Sequence, residues 1–447
     1  MYFPVAFQVL FLALLAGFGW GANLLVLART GVKVRPILQL AQHPSTFSDD
    51  DDGLYKSVFR LAKIIGAIAA TGWLICMLLP SSKAQACVVL LTYVTIGCIL
   101  LMPQNALCRT TRRQLMALLF RIVRPSMSSP VFLSDIIMAD ILTSCARMFA
   151  DVYLVVCNVA IAFHLQGGKH ADSDTDVGLL ASAVRAAQEK SMCKDAGVIG
   201  VLLMAAPYAF RLRQCINEYM NASPGSSDAK RHIANAIKYA SSFPMICLSA
   251  AQKKIAADSA TGTDYADWAL KAAFAMWVAS VAFNSLYSFY WDIAFDWDLV
   301  HTADGWKLSD LIVPAQRSEL QHSVNSFPDA SEIGASDKAH VSQELFPTDA
   351  LYRQDSLPPV AVSSEKPHCF PVLLRPKICF SPPYLYYTAM VVDFLLRIVW
   401  TLKLSSYIKI DMLAYSGFWL NVVEIYRRWQ WTFLRIEKEA AATAATG

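Results

Sequence analysis

Positively charged side chains lie inside two apolar, helix-forming runs near the middle of the chain. The run PYAFRLRQCINEYM carries Arg211 and Arg213, and the run RHIANAIKYASSFPMICLSA carries Lys238. The segment NASPGSSDAK between them predicts a turn that folds the two helices back on each other. A cation within a membrane helix costs roughly 3 kcal/mol on insertion scales, so it usually faces a partner or a water-filled path. A polar site formed by these residues is one interpretation of the pattern. The alternative is that the arginines end a helix at the cytosolic lipid headgroups and that the long side chain of Lys238 extends to the headgroups as well.

Carboxylates recur at helical spacing in an earlier apolar stretch. Residues 131–164 are predicted as one long helix, on which Asp140, Ser144, Arg147 and Asp151 form a single stripe. Because lipid does not solvate charges, such a stripe is expected to face protein or water.

Two later segments repeat this mixture of charge and apolar sequence. Asp292 and Asp296 are one helical turn apart in LYSFYWDIAFDWDL, and they repel each other unless cations or protons lie between them. An aromatic belt with acidic residues just beyond it is the alternative. In YLYYTAMVVDFLLRIVWTLKL, Asp393 and Arg397 share a helix face with Trp400.

The C-terminal run WLNVVEIYRRWQWTFLRIEKEA carries the last charged group. Glu424 lies three and four residues before Arg427 and Arg428, which places the three side chains on one helix face. A basic and aromatic helix end at the cytosolic headgroups is the alternative interpretation.

The elements that must position these residues are membrane-spanning helices. Hydrophobic residues make up 55% of the 447 residues and charged residues 17%, and the mean hydropathy is +0.38. These values predict an all-α, polytopic transmembrane bundle of about nine to ten spans. The basic segment 105–123 is predicted to be an amphipathic interfacial helix. If it crosses the membrane, the count becomes ten and the predicted lumenal side of the N-terminus is reversed.

The sequence also predicts how the chain is divided. The first apolar run, residues 3–28, is expected to be a retained span rather than a signal peptide. Residues 303–375 are rich in Ser, Pro, Asp, Glu and His and predict a disordered or weakly ordered cytosolic loop. The predicted parts are 1–130 with N-terminal hairpins and the basic helix, 131–302 with the central helices, the loop 303–375, 376–440 with two last spans, and the tail 441–447.

Several classes of function are not indicated. The net charge of +4 is spread over loops beside apolar runs, which is typical of cytosolic loops and not of nucleic-acid binding. The eleven cysteines form no CxxC, and the sequence has no GxGxxG, P-loop, HExxH or GxSxG motif. No cofactor, metal site or motif-bearing enzyme is therefore expected.

Taken in order, PYAFRLRQC, HIANAIKYASSFP, YSFYWDIAFDWDL, VVDFLLRIVW and VEIYRRWQWTFLRIEKE resemble the EXS domain. That domain is shared by retrovirus-receptor-type and plant phosphate exporters and by the fungal ER-retention-defective proteins. The exporters carry a soluble SPX sensor ahead of it, whereas only Met1 and Tyr2 precede the first span here. The resemblance is thus to the short, sensorless branch of Golgi proteins.

The resemblance implies a set of phosphate-path residues on separate helices, with Trp400 as a gate. Thr143 stands where the exporters tend to have Asn, and Arg213 has a hydrophobic counterpart, so Arg213 is expected to be an extra cation outside the path. The implied path residues are Asp140, Thr143, Arg211, Lys238, Asp292, Asp296, Arg397, Glu424, Arg427 and Arg428.

The function implied by the resemblance is return of lumenal phosphate from the Golgi to the cytosol, in support of glycosyltransferase and ER-resident retention. The implied partners are inorganic phosphate, membrane lipids, Golgi glycosyltransferases and a second copy in a homodimer, with no nucleic acid. Channel and carrier mechanisms both remain open. Two alternatives are a retention adaptor without transport activity, and an intramembrane enzyme with Asp292 and Asp296 as metal ligands.

Overall fold

The helices of this protein are seen in a computed structural model that describes residues 3–38, 52–124, 130–167, 197–258, 264–302, 306–314, 374–399, 401 and 410–446. In these ranges the chain is helical apart from loops and one isolated β-bridge between His301 and Lys307. The α-helices are α1 (Val5–Arg29), α2 (Val34–Ile37), α3 (Asp52–Leu78), α4 (Ser82–Leu101), α5 (Arg109–Val123), α6 (Leu133–Ser144), α7 (Ala146–Gly167), α8 (Gly197–Asn221), α9 (Ser227–Ala240), α10 (Ser242–Asp258), α11 (Asp264–Trp291), α12 (Tyr384–Arg397) and α13 (Ile410–Thr446).

Five described stretches are long and apolar enough to cross a membrane. They are Val5–Arg29, Gly53–Leu78, Ser82–Leu101, Ala146–Phe163 and Asp267–Asp296. The prediction of an all-α membrane bundle is confirmed, while the count of nine to ten spans remains a prediction. The basic helix α5 has 15 residues and is not among the five.

The prediction of one long helix over residues 131–164 is wrong. The structure divides it into α6 and α7 at Cys145, whose backbone dihedrals are φ −95° and ψ 10°. The Cys145 amide is shared between the carbonyls of Ile141 and Leu142, which tightens the last turn of α6. As a result the predicted stripe is divided too. Asp140 and Ser144 are buried on α6, whereas Arg147 on α7 is exposed.

The helix predicted to carry Lys238 also breaks. α9 ends at Ala240 and α10 begins at Ser242. The cause is Pro244, which has no amide hydrogen to donate to the Ala240 carbonyl. Lys238 therefore lies in the last turn of a short helix, where the Ser241 hydroxyl donates to the Lys238 carbonyl at 2.7 Å.

At the end of α11 the helix widens into a π-helical turn, Asp292–Asp296. The Trp297 amide donates to the Asp292 carbonyl at 2.8 Å, five residues back rather than four. Such wide turns in helices are frequent at functional sites. This turn presents the two carboxylates predicted from the sequence.

A hydrophobic core holds the N-terminal helix, the π-helical turn and the C-terminal helix together. It includes Leu27 of α1, Ile137 of α6, Ile293 of the π-helical turn and Trp431 of α13, all of them buried. α1 packs against α3, α7 and α13, and α8 packs against α6, α7, α9 and α10. A Cβ added at Gly19 of α1 would lie 3.0 Å from Trp429, so glycine permits α1 to approach α13 closely.

The predicted loop 303–375 is described only at its ends. Residues 306–314 contain a 3-10 turn, Leu308–Leu311, and residues 374 and 375 precede the segment that leads to α12. Residues 315–373 lie outside the described part of the chain.

Candidate functional site

The first group of the candidate site joins three helices around Asp140 of α6. The Asp140 carboxylate accepts a hydrogen bond from Arg211 Nε of α8 at 2.8 Å and one from the Tyr239 hydroxyl of α9 at 2.6 Å. The Arg211 guanidinium also lies 4.7 Å from the centre of the Tyr239 ring and donates to Gln214 at 2.7 Å. Asp140 is 1% exposed and Arg211 is 2% exposed. These two charges are thus a buried, hydrogen-bonded ion pair.

The second group lies where α9 meets the π-helical turn. Lys238 Nζ is 3.2 Å from Asp292 Oδ1 and 3.4 Å from Asp296 Oδ2. Trp431 Nε1 of α13 also donates to Asp296 Oδ2, at 3.2 Å. The cation expected between the two carboxylates is therefore Lys238, which relieves their mutual repulsion.

The third group connects the π-helical turn to α12 and α13. Arg397 donates to Asp292 and, at 2.9 Å, to Asp393. Arg427 Nη1 lies 3.5 Å from Asp292 and 3.3 Å from Asp393. Both aspartates are fully buried. Asp292 therefore contacts three cations from three different helices.

The fourth group is formed on α13 and reaches back to α6. Arg427 pairs with Glu424 at 2.5 and 2.9 Å. Glu424 accepts a hydrogen bond from the Ser144 hydroxyl at 2.7 Å, and Ser144 in turn accepts one from Arg428 Nε at 2.9 Å. The chain of contacts thus returns to the helix that carries Asp140.

We refer to these linked side chains as the charge network. The contacts above join five cations and five carboxylates, and Arg435, which lies 3.8 Å from Asp296 and also pairs with Glu439, is linked to them as a further cation. Charges taken out of water are stabilised only when partners and hydrogen bonds replace the solvent. Side chains from α6, α8, α9, α12, α13 and the π-helical turn supply these partners for the network, except at Arg428, whose Nη1 has no protein partner.

The structure brings most of the residues predicted from the sequence into the charge network. Nine of them make the contacts above: Asp140, Arg211, Lys238, Asp292, Asp296, Arg397, Glu424, Arg427 and Arg428. Thr143 is buried beside them, but its hydroxyl donates to the Asp140 carbonyl at 2.8 Å. The predicted gate, Trp400, lies outside the described residues.

Arg213 behaves differently from Arg211, two residues before it. Its guanidinium donates to the backbone carbonyls of Ile122 and Val123, at the end of α5. Arg213 therefore anchors α8 to the basic helix and takes no part in the charge network. Its expected position outside a phosphate path remains a prediction.

Five members of the network were absent from the predicted site: Gln214, Trp431, Asp393, Tyr239 and Ser144. Asp393 was recognised only as a helix neighbour of Arg397, and this i, i+4 spacing was the available signal. Tyr239 directly follows Lys238, but a helix places successive side chains about 100° apart, which conceals a shared role. Ser144 was noted in the divided stripe, and its bridge to α13 had no sequence signal.

A second buried cluster, which we call the carbonyl clamp, holds the end of the π-helical turn. It consists of Arg375, Glu437 and Lys438. Arg375 pairs with the fully buried Glu437 and donates to the Trp297 carbonyl at 2.6 Å. Lys438 Nζ donates to the Phe295 carbonyl at 2.8 Å. The clamp therefore hydrogen-bonds to the backbone carbonyls of the residues on both sides of Asp296.

Asp298 lies just beyond the π-helical turn, at the end that the carbonyl clamp contacts. Burial raises the pKa of Asp298, but a hydrogen bond from His301 and the charge of Lys307 together hold that pKa below its ordinary value. The side chain stays ionised at neutral pH, so its links to His301 at 3.0 Å and Lys307 at 3.5 Å persist there.

Replacing Glu437 by glutamine is expected to destabilise the protein by about 3 kcal/mol, because Arg375 would remain buried without a carboxylate partner. Thermal unfolding in detergent or nanodiscs measures the effect as a lower melting temperature. Glu439→Gln is the matched control on the same helix, since Glu439 pairs with Arg435 and is a third exposed. An equal loss in both variants would contradict the role of the clamp.

The fold and the charge network together define a class. This is a polytopic helical membrane protein with groups of largely buried, hydrogen-bonded charges between its helices. A profile described as the EXS family matches residues 3–441. The chain belongs to the EXS family.

The chain is similar to several characterised members of that family at low identity. It is 23% identical over 449 residues to "Protein ERD1 homolog 1" of Schizosaccharomyces pombe, covering 99% of this chain and 92% of that protein. It is 26% identical over 249 residues to "Protein ERD1" of Kluyveromyces lactis, covering 56% and 48%. It is 22% identical over 394 residues to human "Solute carrier family 53 member 1", covering 86% and 44%. The chain thus spans less than half of the latter two relatives.

Proposed function

We propose that this protein transports inorganic phosphate across the Golgi membrane, from the lumen to the cytosol. Its likeness to the ERD1 proteins and to a solute carrier supports this location and this kind of activity. The observation that carries the proposal is the charge network, in which cations from four helices are joined to carboxylates from four elements inside the bundle.

The cation types suit phosphate. A guanidinium binds two oxygens of a tetrahedral oxyanion at once, whereas an ammonium acts as a compact point charge. Arg211, Lys238, Arg397 and the pair Arg427 and Arg428 are successive stations for the anion. From α8 to α13, each of Arg211, Lys238, Arg397 and Arg427 donates a hydrogen bond to a carboxylate of the network.

The carboxylates have two roles in this proposal. They neutralise the cations when no anion is bound, and they accept a hydrogen bond from the phosphate hydroxyl. Sulfate has no such hydroxyl at neutral pH, so Asp140, Asp292 and Asp296 favour phosphate over sulfate. Since these carboxylates already contact the cations directly, phosphate advances by replacing one carboxylate partner at a time. Binding then stays weak enough for release.

The biological setting of this proposal rests on the likeness to the ERD1 proteins. Glycosylation releases nucleoside diphosphates, and their cleavage in the Golgi lumen produces phosphate that must leave. Return of that phosphate to the cytosol removes a product of glycosyltransferase reactions, and we propose that it supports retention of these enzymes and of ER residents.

Purified protein in sealed liposomes with radiolabelled phosphate provides the direct test. The expected result is uptake above that of empty liposomes, with competition by unlabelled phosphate and little competition by sulfate. Absence of uptake in either membrane orientation would contradict the proposal.

A second assay, in cells that lack the protein, distinguishes the transport function from the adaptor alternative. A variant that is correctly located but carries no phosphate is introduced, and retention of a Golgi glycosyltransferase is measured. Transport as the cause of retention predicts that such a variant fails to restore it. Full restoration would assign retention to an adaptor role independent of flux.

A further inference from the structure

Arg428 differs from the other cations of the charge network. Its Nε donates to the neutral hydroxyl of Ser144, and its guanidinium lies 4.5 Å from the centre of the Trp431 ring. Among the described residues no carboxylate oxygen lies within 4.0 Å of the Arg428 guanidinium. The residue is only 8% exposed, yet its Nη1 has no hydrogen-bond partner in the protein. Arg428 is thus a largely buried cation whose buried Nη1 has no hydrogen-bond partner in the protein.

Two further polar atoms near Arg428 share this property. Asn23 of α1 is 1% exposed, and its amide nitrogen donates to the Trp429 carbonyl at 3.1 Å, while its Oδ1 has no protein partner. The indole Nε1 of Trp429 is also buried without a protein partner. Buried polar atoms are nearly always hydrogen-bonded, so three in one place point to a ligand.

The three residues line the same cavity, which lies between α1, α6 and α13. Its walls also include Trp20, Ser144 and Thr432, and its volume is about 20 Å³. A buried water molecule needs a cavity of about 10–15 Å³ or more and two to four polar partners. A phosphate ion does not fit this space, whereas one water molecule does.

We propose that this cavity holds one ordered water molecule, and that α1 contributes to the phosphate path through this water. The inference rests on the proposed transport function. The water accepts hydrogen bonds from Arg428 Nη1 and Trp429 Nε1 and donates one to Asn23 Oδ1, which satisfies all three atoms. It hydrates Arg428 from the α1 side and keeps the guanidinium from turning to Glu424. Asn23 is therefore a positioning residue that acts through the water on a cation of the path.

The site itself is tested in a high-resolution cryo-EM map of the full chain in lipid nanodiscs. The expected result is a density peak about 2.7–3.2 Å from Asn23 Oδ1, Arg428 Nη1 and Trp429 Nε1. A map in which the cavity has closed, with Arg428 Nη1 on a carboxylate, would overturn the proposal. This measurement does not depend on transport.

The positioning role is tested by kinetics in liposomes. Asn23→Leu removes the acceptor, and we expect the KM for phosphate to rise about tenfold while the maximal rate stays within about twofold, since an unsatisfied donor turns Arg428 toward Glu424. Asn23→Asp places a carboxylate that competes with phosphate for Arg428, so its KM also rises. Asn23→Ser retains an acceptor and room for water, and it should keep a KM close to the unchanged protein.

Gln8→Leu is the matched control, because Gln8 lies on the same helix and its amide donates to the Phe3 carbonyl at 2.7 Å. Equal KM values for Asn23→Leu and Gln8→Leu would overturn the positioning role. If the unchanged protein carries no phosphate at all, the transport function fails instead. The water site is then judged by the map and by whether Asn23→Leu melts at a lower temperature than Gln8→Leu.

Discussion

Replacing Arg397 by alanine is expected to lower phosphate flux by at least about 100-fold, because two fully buried aspartates lose a shared cation. Arg397 binds Asp292 of the π-helical turn and Asp393 of its own helix. In the Arg397→Ala variant, both carboxylates keep their contact with Arg427. The remaining negative charge repels an incoming anion at the middle of the network. Initial rates of labelled-phosphate uptake in liposomes measure the loss.

Two companion variants make the Arg397 result specific. Arg397→Lys keeps the charge but not the two-pronged geometry, so it should retain a measurable fraction of the flux. Arg213→Ala removes a cation that contacts backbone carbonyls outside the network, and its flux should stay close to that of the unchanged protein. Normal transport by Arg397→Ala would show that the path lies elsewhere, even if the protein carries phosphate.

The second large effect is expected at Lys238, which separates the carboxylates of Asp292 and Asp296. Lys238→Ala should lower the flux by about 100-fold, since two acidic groups on one turn then lose the cation between them and their negative charge repels an incoming anion. A phosphate ion arriving from the Arg211 side loses its next cationic station. The same uptake assay, with melting temperature as a check of folding, measures the effect.

Lys271→Ala is the matched control for Lys238→Ala. Lys271 lies on α11, pairs with Asp267 at 2.7 Å and is largely exposed, so its loss should change neither flux nor stability appreciably. Lys238→Arg retains the charge and is expected to recover part of the activity. If Lys238→Ala and Lys271→Ala transport equally well, Lys238 serves only to stabilise the fold.

The comparison of sequence and structure is most informative around the π-helical turn. The spacing of Asp292 and Asp296 predicted that either a cation or a proton must lie between them, because two carboxylates one helical turn apart repel each other. It did not identify that cation. Lys238 is 54 residues from Asp292 along the chain, and only the packing of α9 beside α11 brings them together.

The helix breaks show a related limit. Apolar periodicity over residues 131–164 and 231–250 predicted helix correctly, but it gave no sign of the turns at Cys145 and Ser241. Pro244 was a local signal for the second break. Beside the first break, Ser144 makes contacts with α13 that no local pattern contains.

The sequence by itself determined the class of fold and the identity of most charged residues, because burying charge in an apolar helix is costly wherever it occurs. Only the tertiary structure decided which charges pair, since a carboxylate accepts any cation that packing brings within reach. Arg397 and Asp393 could be paired from helix spacing, whereas Arg428, Ser144 and Asn23 meet across three helices. Their juxtaposition depends on distances through the bundle rather than along the chain.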